Sequence, residues 1–242
     1  MWLFNKKAAS LGESGMMAGM TDWHSHVLPG VDDGIKSIED SLEVLRHFDN
    51  KGVRTLWLTP HIMEDYPNTT DKLRERFEEL RRAWDGNVQL RLASENMLDS
   101  LFEERLAARD LLPIGENGDH LLVETSYFSP PMGMDGMIDA IMSAGYYPLL
   151  AHPERYTYMN EGDYNRLREK GVRMQLNYVS LVGGYGETAR KKSIWLLKNG
   201  YIDAVGSDIH RLKSNQTLIA ERPSKKEHLD MLLHVVNEKN RI

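Results

Sequence analysis

Five histidines and four carboxylates carry most of the chemical content of this sequence. His24 and His26 stand in WHSH, His61 in TPH, His152 in LAHPER and His210 in SDIH, joined by Asp33, Glu95, Glu124 and Asp208. Nearly every one follows a short apolar run, where a strand hands over to a loop. Side chains alternate across a strand, so His24 and His26 point the same way while Ser25 faces elsewhere. In PGVDDG, the turn formers Pro29, Gly30 and Gly34 hold Asp32 and Asp33 near the same strand end. Pro60 withholds a ladder donor just before His61. RLASE, LLVE, PLLAH and AVGSDIH deliver the other side chains to corresponding positions.

Each residue alone has an ordinary structural explanation, since a polar side chain at a strand end finds local partners. Their collection at one end of successive strands does not. Burying so many ionisable groups together is costly unless opposite charge compensates them, and divalent cations do this directly. Nine nitrogen and oxygen ligands exceed the needs of one tetrahedral ion and suit two or three ions that share a bridging carboxylate. Without thiolate, the set suits Mn, Fe or Zn rather than a structural zinc. His47, His120, His228 and His234 lie on helices or before strands and read as surface or packing residues. Tyr127, Phe128, Pro130 and Pro131 follow Glu124, where they read equally as the wall of an aromatic pocket or as loop packing.

Composition narrows the chemistry. A length of 242 residues fits one α/β barrel unit. The net charge of −6, without a basic stripe, removes the footprint of a nucleic-acid binder. The absence of cysteine excludes disulfides, thiolate zinc sites and a cysteine-nucleophile phosphatase. Trp2, Leu3 and Phe4 are followed at once by Lys6 and Lys7, with Glu13 soon after, which makes neither a signal peptide nor a membrane span. A cytoplasmic protein with no integral membrane segment is expected. Residues 1–20, rich in Gly, Ser, Ala and Met without a period, read as a flexible leader, and 21–242 as a single catalytic domain.

Strand-like runs at 21–23, 53–59, 88–93, 121–125, 147–151, 172–177 and 203–206 predict about seven parallel strands. Between them lie helical patterns, such as Ile38, Leu42, Leu45 and Phe48 introduced by Ser37 with Asp40. Others span 71–84, 134–144, 163–170, 187–199 and 224–238. Gly52, Gly145, Gly171 and Gly200 each separate a helical pattern from the next strand, as a left-handed cap does. The segments 65–70, 126–134 and 181–186 are irregular and read as active-site loops, while 213–223 fits no element.

The chain resembles the polymerase and histidinol phosphatase (PHP) superfamily, and within it the bacterial PHP-type protein-tyrosine phosphatases of capsule and exopolysaccharide operons (CpsB/CapC-like). The resemblance runs from residue 21 to about 212, through DWHSHVLPGVDDG, TPH, the Glu95 segment, LLVETSYFSPP, LAHPERY and GSDIH. It implies a distorted (β/α)7 barrel of the PHP fold, with a trinuclear metal site at the C-terminal ends of the strands. His24, His26, Glu95 and Asp208 would hold a first ion. Glu95 would bridge to a second, completed by Glu124 and His152, and Asp33, His61 and His210 would hold the third. Arg155 corresponds to a phosphate-binding arginine, whose planar fork matches two phosphoryl oxygens.

Manganese is the implied cofactor, with Fe or Zn as alternatives. A metal-activated water would attack phosphorus, with no protein nucleophile. The implied substrate is the phosphorylated, tyrosine-rich tail of a bacterial tyrosine autokinase. Two other readings stand beside it: a small-molecule phosphatase such as one acting on histidinol phosphate, and a non-catalytic metal-binding module that docks a kinase or export component. The chain departs from the pattern at two places. Asn215 stands where some relatives carry a second phosphate-binding arginine, leaving Arg211 or Arg222 as substitutes, and Asn96 stands where an aromatic residue is common. Oligomeric state is not legible in the sequence.

Overall fold

A computed structural model describes residues 8–239 and 242. Among the described residues, eleven strands form in chain order: β1 (Ala8–Ser10), β2 (Thr21–Asp22), β3 (Thr55–Leu58), β4 (His61–Ile62), β5 (Gln89–Leu92), β6 (Glu95–Met97), β7 (His120–Glu124), β8 (Tyr147–Ala151), β9 (Arg173–Asn177), β10 (Ala204–Gly206) and β11 (Pro223–Lys225). The helices are α1 (Ile38–Asn50), α2 (Thr70–Ala83), α3 (Ser100–Ala108), α4 (Met134–Ser143), α5 (Glu161–Glu169), α6 (Gly186–Lys198), α7 (Leu212–Glu221) and α8 (Lys226–His234). Among the described residues, no helix is long and apolar enough to cross a membrane.

The architecture is mixed α/β around a curled parallel sheet. Six strands run in the order β10-β9-β8-β7-β6-β4, and three more in the order β2-β3-β5, all in parallel register. Only Thr59 and Pro60 separate β3 from β4, and only Ala93 and Ser94 separate β5 from β6, so the chain passes from the smaller sheet into the larger twice. Backbone bonds also join the first strand region to the last: Trp23 N donates to Val205 O at 3.2 Å, Asp208 N to His24 O at 2.8 Å and His26 N to Ile209 O at 3.1 Å.

Alternation along the strands builds two apolar layers. In β7, Leu121 and Val123 join the large core between sheet and helices, whereas Leu122 faces a smaller cluster with Trp23, Trp57, Ala93, Leu149, Ala151 and Ala204. Trp23 and Trp57 stack there with ring centroids 5.6 Å apart. Ala93 and Leu122 each precede a carboxylate, Glu95 and Glu124, by two residues and hence share its face. The small cluster is an apolar floor beneath the polar side chains that follow.

Local chemistry explains the helices that pack on the large core. Ser37 caps α1 by accepting from Asp40 N, and Val44, Leu45 and Phe48 bury its inner face. Asp99 caps α3 in the same way, accepting from Phe102 N. Neither α3 nor α7 is among the helices predicted from the sequence. α3 is nine residues long, and α7 buries only Asn215 and Ile219, too few apolar positions to make a period.

The flexible leader predicted for residues 1–20 needs correction from residue 8 onward; residues 1–7 lie outside the described part. β1 pairs antiparallel with β11, and Leu11, Met16, Met17 and Met20 are all buried in the main core. Gly19 N donates to Gly52 O, and Arg54 N to Met20 O. The segment is a succession of turns in which each apolar side chain reaches the core separately, so no helical or strand period marks it. The last helix, α8, buries Leu229 and Leu232 and packs against α6.

Replacing Leu11 with alanine is expected to cost about 2–5 kcal/mol, the usual range for a fully buried leucine. Urea denaturation followed by circular dichroism measures this. A midpoint equal to that of the unaltered protein would mean that the segment is a leader after all.

Candidate metal centre

Strand ends and the residues that follow them deliver eight of the nine predicted ligands to one place. His24 and His26 follow β2, His61 opens β4, Glu95 opens β6, Glu124 closes β7, His152 follows β8, and Asp208 and His210 follow β10. Asp33 arrives from the turn before α1. His24, His26, Glu95, Glu124, His152, Asp208 and His61 are buried, His210 is half-buried, and Asp33 is exposed at the rim.

Among the described residues four groups of close donor atoms form: His24, His26 and Asp208; His24, Glu95 and His152; His61, Glu95 and Glu124; and His26, Asp33, His61 and His210. His24 Nε2 and His26 Nε2 are 3.1 Å apart. Glu95 Oε2 lies 3.1 and 3.2 Å from them, and Asp208 Oδ1 3.6 and 3.4 Å. Donors bound at about 2.05 Å around a tetrahedral ion sit about 3.3 Å from one another, and the separations of each carboxylate oxygen from the two imidazole nitrogens are close to that spacing. His152 Nε2 is 2.9 Å from Glu95 Oε1 and 3.8 Å from Glu124 Oε2. Asp33 Oδ1 is 3.3 Å from His210 Nε2 and 3.5 Å from His61 Nε2.

His61 also joins Glu95 and Glu124, with Nδ1 3.1 Å from both Glu95 Oε2 and Glu124 Oε1. These three buried atoms make no hydrogen bond despite their closeness. Buried polar atoms normally find a partner. Here they lie close enough to one another to share a cation.

A second layer fixes how the histidines present themselves. His24 Nδ1 donates to Gln175 Oε1 at 2.8 Å, and His26 Nδ1 to Asp32 Oδ2 at 2.8 Å, leaving each Nε2 lone pair free for a metal. Asp32 also accepts from the backbone N of His61 and of Gly34. Asn177 donates to Asp208 Oδ2 at 2.7 Å and accepts from Gln175 Nε2 at 3.0 Å. Buried Glu154 accepts from Asn177 N, and burial raises its carboxyl to about 7. Gly206 leaves room for this layer, since a Cβ there would lie 2.6 Å from that of His24. His152 and Asp208 both adopt left-handed backbone angles, with φ of 33° and 51°, a strain that surrounding structure must sustain.

Protonation follows from the same crowding. Burial disfavours a charged His24, but Glu95 and Asp208 outweigh it and raise the imidazole to about 9. Burial likewise opposes ionisation of Glu95 and Asp208, yet the surrounding imidazoles hold both carboxyls well below their usual range. Without cations, the cluster balances its carboxylates with imidazole protons. Metal binding would release those protons.

Beside this cluster lies a cavity of about 490 Å³, lined by His61, His152, Arg155, Tyr127, Tyr185 and Arg211 among others. Arg155 Nη1 donates to Asp208 Oδ2 at 2.7 Å. Of the residues weighed for the second arginine, Arg211 lines the cavity, Arg222 donates to Gly183 O, and Asn215 is bonded to the Tyr178 hydroxyl. Asn96 is buried and donates to Ser94 O and Leu122 O. His47, His120, His228 and His234 join none of the candidate ligand groups.

The family profile described as capsular polysaccharide synthesis, CpsB/CapC, matches residues 20–228. The protein belongs to the CpsB/CapC family. It is 31% identical over 201 residues to the tyrosine-protein phosphatase YwqE of Bacillus subtilis, covering 81% of this chain and 79% of that protein. It is 29% identical over 208 residues to the tyrosine-protein phosphatase CpsB of Streptococcus pneumoniae, covering 81% of this chain and 84% of that one. A solved structure from work on YwqE and CpsB, described as unique metal-dependent tyrosine phosphatases, superposes with a TM-score of 0.77 at 29% identity over 91% of this chain and 87% of the other.

Asp32, Gln175 and Asn177 were not among the predicted functional residues of this family member. A polar pair two positions apart in the otherwise apolar run MQLN was the available signal. Gln175→Leu, which deprives His24 of its acceptor, is expected to weaken metal binding about 10- to 100-fold. Competition against a chelator of known affinity reads the change. Undiminished binding would show that the amide does not orient the ligand.

Proposed function

We propose that the protein is a metal-dependent protein-tyrosine phosphatase whose site takes three divalent cations, with manganese the one the family resemblance implies and Fe or Zn also compatible with its mixed nitrogen and oxygen donors. The observation that carries this reading is the convergence of unpaired, buried lone pairs from His61, Glu95 and Glu124 next to a cavity lined by Arg155. His24, His26, Glu95 and Asp208 would hold one ion, Glu95, Glu124 and His152 a second, and Asp33, His61 and His210 a third. The bonds from Trp23, His26 and Asp208 between the first and last strand regions support a distorted (β/α)7 barrel of the PHP type, with the ions at the C-terminal strand ends.

Bound divalent cations supply an activated water and neutralise charge on the phosphoryl group. The protein's own residues do the rest. Arg155 directs guanidinium donors at phosphoryl oxygens while one of them stays on Asp208. Val179 and Leu218 give the cavity apolar wall, against which an aromatic ring can shed water. A tyrosine leaving group, with a pKa of about 10, departs with less protonation help than an alkoxide. No cysteine exists to act as nucleophile, and no side chain is assigned that role.

The physiological substrate we infer is the phosphorylated tail of a bacterial tyrosine kinase in capsule or exopolysaccharide synthesis, met in the cytoplasm. The names of the relatives support the reaction. A flexible tail reaches a recessed arginine that a folded surface does not.

Chelation is expected to abolish hydrolysis of p-nitrophenyl phosphate, and Mn refill to restore it, while His152→Ala and Asp208→Ala stay inactive after refill. Full activity in both variants contradicts the assigned site. The kcat/KM for a phosphotyrosyl peptide should exceed that for histidinol phosphate; the reverse order would point to the small-molecule reading. Stoichiometric binding of Mn without turnover of either substrate would favour a docking module.

A further inference from the structure

One side chain in the cavity touches both the phosphate-binding arginine and a candidate metal ligand. The Tyr185 hydroxyl donates to Asp208 Oδ2 at 2.9 Å, and the Arg155 guanidinium carbon lies over the Tyr185 ring, 4.1 Å from its centroid. Tyr127 receives the same guanidinium at 4.3 Å. Asp208 thereby divides its two oxygens. Oδ1 faces His24 and His26, while Oδ2 accepts from Arg155, Asn177 and Tyr185.

The backbone beneath Tyr185 is shaped for this delivery. The ring rises from Gly-Gly-Tyr-Gly, in which Gly183 and Gly186 take φ values of 79° and 89°. A Cβ on Gly184 would press on Val179, 3.0 Å from its carbonyl oxygen and 3.1 Å from its own Cβ. Three glycines in succession around one aromatic residue weaken the local chain unless the position of that residue matters. Both ends of its side chain are spent on the site, the ring on Arg155 and the hydroxyl on Asp208.

We propose that Tyr185 is a positioning residue with two separable functions: its ring holds Arg155 in the orientation that receives a phosphoryl group, and its hydroxyl fixes Asp208 for metal binding. The inference rests on the phosphatase reading above, but its test does not depend on turnover. Cation–π contact constrains a guanidinium that would otherwise sample many rotamers. The hydroxyl acts as other outer partners of a ligating carboxylate do, holding one oxygen so that the second stays aimed.

The test compares Tyr185→Phe and Tyr185→Leu with the unaltered protein, each loaded with Mn. Calorimetry gives the affinity for inorganic phosphate, chelator competition the affinity for Mn, and p-nitrophenyl phosphate the division between KM and kcat. Tyr185→Leu should weaken phosphate binding and raise KM roughly three- to tenfold. Tyr185→Phe should keep phosphate affinity and KM within about twofold, restoring what the leucine variant loses, yet bind Mn about tenfold more weakly. Equal phosphate affinity in a folded Tyr185→Leu protein overturns the role of the ring, and equal Mn affinity in Tyr185→Phe overturns that of the hydroxyl. Should Tyr185→Leu not fold, Tyr185→Phe still decides, because loss of phosphate affinity with the ring in place also contradicts the proposal. An unaltered protein that binds phosphate without hydrolysing the ester would sink the phosphatase reading and leave the comparison of variants intact.

Discussion

Glu95 is fully buried and touches four imidazoles: Oε2 lies 3.1 to 3.2 Å from nitrogens of His24, His26 and His61, and Oε1 2.9 Å from that of His152. No apolar packing provides for such a carboxylate. An isolated ionised group in this position would be prohibitively costly, and four uncharged imidazoles would not repay it. Positive charge must be present, either as protons on the histidines or as cations between the donors. The remainder of the centre is arranged around that demand, with Asp208 and Glu124 on either side of Glu95 and the two amides of β9 holding the ligand geometry.

The fold meets the demand by dividing each strand between two tasks. In the strand regions that carry candidate ligands, earlier residues such as Trp23, Trp57, Leu122 and Leu149 form the apolar floor, and the ligand follows one to four residues further on. A parallel sheet suits this because every strand ends at the same edge, so six sequence-distant segments meet without long-range excursions of the backbone. Where a simple strand end is insufficient, the backbone bends to fit. His152 and Asp208 accept left-handed angles that place their side chains inward, and Gly206 clears the space that His24 occupies.

Much of this was legible in the sequence because ligand type and strand position coincide. All nine predicted ligands fall at one centre, since a histidine or acid after an apolar run leaves a local trace. The outer layer left a fainter one. Asp32 was visible only as a neighbour of Asp33, and Gln175 and Asn177 sit in a strand that contributes no ligand. Tyr185 depends on a loop conformation that glycines permit but do not announce. Residues 8–20 escaped for another reason, because methionines buried singly from turns produce no period, and α7 because its buried face holds only Asn215 and Ile219. Arg211 lines the cavity, whereas Arg222 donates to Gly183 O, a contact between segments far apart in sequence.

The central claim is that cations occupy the space between these donors. Diffraction from crystals grown with manganese, recorded on both sides of its absorption edge, tests it directly. The account predicts anomalous peaks within coordination distance of His24, His26, Glu95 and Asp208, of Glu95, Glu124 and His152, and of Asp33, His61 and His210. Loaded crystals with no anomalous signal at Glu95, or with manganese bound only elsewhere on the protein, would contradict it.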